Sequence, residues 1–109
     1  MKPVVFLGDS LDRLREFPER PRRDAGFQLD RVQRGHEPDD WKPMTGVGPG
    51  VREIRVRDAT GAFRVIYVAS FAEAVFVLHA FQKRTQQTSK RDLALAQARF
   101  KQLKRGVSQ

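Results

Sequence analysis

The chain has 109 residues, enough for one compact domain over residues 1–109 and too few for two. It contains no cysteine, which excludes disulfide frameworks, zinc–cysteine sites, iron–sulfur clusters and thiol catalysis and suits a cytoplasmic setting. The net charge of +8 falls wholly within residues 51–109, because residues 1–50 carry 9 basic and 9 acidic side chains, and localised charge of this kind implies an anionic partner.

Pro3–Leu7 is a short β-branched and aromatic run ending at Gly8, and it predicts a first strand. Ser10 is placed to cap a helix with Leu11, Leu14 and Phe17 at helical spacing. Pro18 and Pro21 mark a break and a new first turn. A second helix then runs to about Arg34, with Ala25, Leu29 and Val32 on one face and Gly35 as its stop. The two helices form a hairpin. Residues 35–50 hold four Gly and three Pro and read as a loop, pinned to the body by Trp41 and Met44.

Three strands follow. Val51–Arg57 alternates, with Ile54 and Val56 on one side and Glu53, Arg55 and Arg57 on the other. The turn 58–61 leads to Phe63–Ala69, and Ala74–Phe81 is the last strand. Both later strands are apolar at almost every residue, as expected of strands covered on both faces. Ser89 and Asp92 have capping-box spacing, and Leu93, Ala96, Phe100, Leu103 and Val107 then mark an amphipathic C-terminal helix. The expected architecture is α+β.

Arg55 and Arg64 are the sharpest chemical feature. A four-residue turn at 58–61 sets Arg55 opposite Arg64, and a two-residue loop at Thr60-Gly61 sets Arg57 there instead. Either register places like charges side by side, which is unfavourable unless an anion lies between them or Glu53 and Asp58 neutralise them. Lys83 and Arg84 follow the last apolar strand and precede the capped helix, a second candidate for holding an anion. His79 alternates with Val75, Val77 and Phe81 and reads as a satisfied core histidine, and Tyr67 has the parity opposite to Arg64. Two histidines without clustered acidic ligands give no metal site. The apolar stripe of the last helix is narrow and needed for the core, and no apolar run is long enough to span a bilayer, so no membrane partner is expected. No secretory leader is read at the N-terminus.

The hairpin Val51–Arg57 and Gly61–Tyr67 resembles the central hairpin of RelE/ParE-superfamily toxins. The segments Val77–Thr88 and Asp92–Arg99, with Gly8-Asp9-Ser10 and Trp41-Lys42-Pro43-Met44, are similar to the phage-derived HigB-type branch, and the likeness covers about residues 3–104. It implies a RelE-like fold: a short first strand, a helical hairpin, an antiparallel three-stranded meander completing a curved four-stranded sheet, and a C-terminal helix. It further implies the toxin of a type II toxin–antitoxin pair, a metal-independent endoribonuclease cutting messenger RNA on the ribosome, with no cofactor and a helix-turn-helix antitoxin as partner. Position by position, Arg64 matches the residue that contacts the scissile phosphate, Arg55 a basic position on the preceding strand, and Lys83 and Arg84 the pair that stabilises the transition state. Arg57 is a looser match for the RNA backbone, and Lys90 and Arg91 are carried as RNA-binding. Thr85–Ser89 stand where several family members carry a Tyr or His acid or base, which leaves a gyrase-poisoning ParE-like toxin as the alternative.

Overall fold

A computed structural model describes residues 1–107, the side chain of Val107 excepted. In chain order the elements are β1 (Val4–Phe6), α1 (Ser10–Arg15), α2 (Glu19–Gln33), β2 (Trp41–Pro43), β3 (Val51–Asp58), β4 (Gly61–Val68), β5 (Val75–Lys83) and α3 (Lys90–Val107). The strands form one mixed sheet in the order β1-β5-β4-β3-β2, with β1 parallel to β5 and the remaining pairs antiparallel.

This corrects the four-stranded expectation. The fifth strand is β2, inside the segment read as a loop, where Trp41, Lys42 and Pro43 lie opposite Ile54, Glu53 and Arg52. Three residues are too few to display an alternation, and Pro43 is tolerated because β2 is an edge strand. Met44 does anchor the segment, buried beside Val47 under α3. Trp41 is half-buried and stacks against the Arg52 guanidinium at 4.0 Å.

Helices cover both faces of the sheet. On one side Leu14, Phe17, Ala25, Leu29 and Val32 pack onto Ile54, Val56, Phe63, Val65 and Tyr67. On the other, Ala96, Phe100 and Leu103 of α3 close over Ile66, Val68, Phe76 and Leu78. Burying such side chains supplies most of the folding drive, at about 25 cal/mol per Å² of apolar surface. The two-sided cover accounts for the nearly unbroken apolar runs of β4 and β5. Val107 belongs to the expected stripe of α3, but its side chain lies outside the described residues.

Local signals decide the ends of the helices. Gly35, at φ +88°, closes α2 with its N–H on Val32 O, while the His36 N–H reaches Arg31 O in a Schellman pattern. Ser89 caps α3, its Oγ accepting the Asp92 N–H at 3.1 Å. Ser10 does not act as a cap. It is the first residue of α1, buried, and donates its hydroxyl to Val77 O at 3.3 Å, which ties the helix to β5.

Candidate functional site

The hairpin register puts Arg55 opposite Arg64 and Arg57 opposite Ala62, the first of the two possible pairings. Asp58 shapes the turn by accepting the Thr60 N–H at 2.8 Å, so it does not neutralise the arginines. Across β4, Arg64 meets Phe81 and Ala62 meets Lys83. Strand alternation then places Glu53, Arg55, Arg57, Arg64 and Lys83 on the sheet face that α3 covers elsewhere.

Glu53 is the counter-charge of this face. It is 0% exposed, with Oε1 at 3.5 Å from Arg64 Nε and 4.0 Å from Lys42 Nζ. Its Oε2 accepts the Thr88 hydroxyl at 3.1 Å, which draws the 84–89 connection from the end of β5 across β4, the strand of Arg64, to β3. Arg64 is consequently only 3% exposed, and its Nη1 donates to Phe63 O at 3.1 Å. Glu53 Oε1, Arg55 Nε and Arg64 Nε are buried without a hydrogen bond, an unfavourable state for three polar atoms of one cluster. Burial chiefly, with help from neighbouring Arg55 and Arg57, holds the Arg64 pKa below its ordinary value, while Glu53 opposes that shift.

β1 covers β5 only along Val75–Val77. Further along, the edge of β5 opens into a cavity of about 480 Å³ whose basic lining is Arg13, Lys83, Arg84 and Arg91, beside Phe17, Phe63 and Phe81. Lys83 belongs to both regions. Desolvation first, then the positive fields of Arg64, Lys42 and Arg55, lower its pKa. Such a lysine gives up a proton more readily than an ordinary one.

Asp92 also lines this cavity and leads into the interior. His79, 0% exposed, meets Asp92 Oδ1 through Nε2 at 2.7 Å. Arg99 Nη1 lies 3.4 Å from His79 Nδ1, and a guanidinium only donates, so the imidazole proton is assigned to Nε2. Burial holds the His79 pKa below its ordinary value against the opposing pull of Asp92. Arg99 also donates to Leu78 O at 2.9 Å and to Asp9 Oδ1 at 2.7 Å. The expected alternation of His79 with Val75 and Val77 fails because the pairing skips Leu78, with Ile66 opposite His79 and Tyr67 opposite Val77. This irregularity turns His79 and Phe81 toward α3 while Val75 and Val77 stay on the α1–α2 side. Tyr67 is buried on that latter side, as its parity requires.

Of the residues singled out by sequence, Arg55, Arg64 and Lys83 come together on one face, and Lys83, Arg84 and Arg91 share the cavity. Arg57 is exposed and borders a separate cavity of about 290 Å³ with Arg20 and Asp24. Lys90 is exposed and does not line the main cavity. Arg13 and Lys42 were not singled out: Arg13 reads as half of a surface pair with Asp9, and Lys42 lies in the presumed loop. Among the described residues no group of three or more His, Cys, Asp or Glu is arranged to hold a metal ion, and no helix is long and apolar enough to cross a membrane.

No curated protein matches the chain. Residues 12–101 match the model of a family described as phage derived protein Gp49-like (DUF891), a span that includes every basic residue of the cluster and the cavity. The chain therefore belongs to the Gp49-like family of phage-derived proteins, a toxin-like family of toxin–antitoxin systems in which an antitoxin is the implied partner.

Proposed function

We propose that this chain is a toxin of the RelE/ParE superfamily, in its HigB-type branch, that cleaves messenger RNA on the ribosome and is restrained by a helix-turn-helix antitoxin in the cytoplasm. The observation that carries the reading is the meeting of Arg55, Arg64 and Lys83 on one sheet face, beside a cavity edged by Arg84, Arg91 and Arg13. Metal-independent cleavage uses the ribose 2′-hydroxyl as nucleophile and passes through a phosphorane with extra negative charge. Fixed guanidinium groups stabilise that charge more than they stabilise the ground state, which accelerates the step. In this reading Arg64 and Arg55 hold the scissile phosphate and Arg84 stabilises the transition state. Lys83, with its lowered pKa, donates a proton to the departing 5′-oxygen, while solvent water takes the proton of the attacking 2′-hydroxyl. Arg57, Lys90 and Arg91 guide the flanking backbone.

Primer-extension mapping after brief induction is the direct test. New 5′ ends inside open reading frames are expected, and arrested growth with intact transcripts would sink the reading. One observation favours a second reading, a non-enzymatic gyrase inhibitor: Arg64 is nearly inaccessible and already faces a carboxylate. Supercoiling assays with purified protein separate the two.

A further inference from the structure

Glu53 sits where the cations of this sheet face converge. It is the buried carboxylate of the cluster, in contact with Arg64, Lys42 and Thr88, and Arg55 and Lys83 lie on the same face. The fit is imperfect. Its Oε1 lies 3.5 Å from Arg64 Nε without making a hydrogen bond, and Arg55 Nε is left without one as well. A tetrahedral phosphodiester offers more acceptor directions than a planar carboxylate and can satisfy both guanidinium nitrogens at once. The 84–89 connection blocks it, held down by the Thr88 hydroxyl on the same carboxylate. Thr85, Gln86 and Gln87 are exposed, so lifting the connection uncovers little apolar surface.

From this arrangement we propose that Glu53 is a resident surrogate for the RNA phosphate and that Thr88 is the latch it holds. The ground state is closed; a phosphodiester displaces Glu53 from Arg64, the Thr88–Glu53 bond breaks, and the 84–89 connection lifts. The proposal rests on the RNA reading above and describes how the same site is regulated. A ligand that binds only the open state has its affinity reduced by the fraction of molecules that are open, so weakening the latch strengthens binding.

The test measures binding of a fluorescent single-stranded RNA in which each ribose is 2′-deoxy, hence uncleavable, by anisotropy at fixed salt. Thr88→Val removes the hydroxyl at similar volume in a partly exposed position, and binding is expected to tighten about threefold, the worth of one hydrogen bond. Glu53→Gln removes the competing charge, and binding is expected to tighten about tenfold or more. In a Glu53→Met background, which offers the Thr88 hydroxyl no acceptor, Thr88→Val should add nothing, a coupling that simple removal of negative charge does not produce. Binding by the wild type that Thr88→Val leaves unchanged, or equal Thr88→Val effects in both backgrounds, overturns the latch alone. Absence of binding by the wild type and both variants overturns the latch together with the RNA reading. Normal binding and coupling, with transcripts left intact in cells when mapped by primer extension, removes only the nuclease assignment.

Discussion

The two halves of the chain carry similar numbers of cations and use them in opposite ways. In the first half the arginines are largely neutralised by neighbours: Arg13 by Asp9, Arg23 by Glu19 and Arg34 by Asp30, each at i,i+4, and Arg31 by Asp39. These pairs are exposed and formed within or beside one helical segment, so they do little beyond supporting α1 and α2. In the second half two of the four carboxylates are drawn away from the surface. Glu53 is buried against Arg64, and Asp92 is turned inward to His79. Lys83, Arg84 and Arg91 are left around an open cavity. The difference teaches that a count of charges says little until the location of each counter-charge is known.

The largest effect is expected where the second half keeps its buried pair. Arg64→Ala should abolish cleavage and also destabilise the fold by about 3 kcal/mol, because the buried Glu53 loses its nearest cation and keeps only Lys42, at 4.0 Å, as an ion-pair partner. Adding Glu53→Gln should restore most of the stability, read by urea denaturation, and none of the activity. Stability that does not recover in the double variant would mean that Glu53 is not the counter-charge of Arg64.

The next effect concerns acid. Burial lowers the His79 pKa from its ordinary 6.5, so below that value the unfolded chain takes up the proton first. The stability owed to neutral His79 is therefore full above pH 6.5 and is lost as pH falls below it, with a slope of at most about 1.4 kcal/mol per pH unit. Asp9 behaves as a carboxylate held low by its hydrogen bond to Arg99, and its contribution disappears as pH drops below its ordinary 3.8. Denaturation series should show the loss just below pH 6.5 in the wild type and not in His79→Gln. An identical slope in both would assign the acid sensitivity elsewhere.

The smallest effect should come from the first half. Arg23→Ala breaks a pair whose two partners are both well exposed, and the stability change should stay within about 0.5 kcal/mol. RNA affinity should be unchanged. A marked loss of affinity would erase the contrast between the halves.

Much of the fold was legible because its signals are local. The apolar faces of α2 and α3, the Gly35 stop, the Ser89 cap and the three long strands all depend on residues close in sequence. The parts that were not legible depend on distant contacts. β2 becomes a strand only because Glu53 and its neighbours lie alongside it. The irregularity at Leu78 leaves no mark in a run where nearly every residue is apolar. The pairing of Arg55 with Arg64 follows from a turn and could be narrowed to two registers, whereas the covering of Arg64 depends on Thr88 reaching Glu53, 35 residues away in sequence. Arg13 joins the cavity only because α1 is seated near β5, a placement its own sequence does not announce.

Arg99 has a consequence for how the protein is made. Its guanidinium reaches Asp9 near the start of the chain and the Leu78 carbonyl at the irregular point of β5, and a Cβ on Gly8 would strike it at 2.5 Å. β1 likewise waits for β5, since Val4 pairs with Val75. A nascent chain therefore holds β1 and α1 without their final partners until β5 and α3 have been synthesised. For a protein of a toxin-like family, maturation is then set by the arrival of β5 and α3 rather than by the order in which its first elements are made.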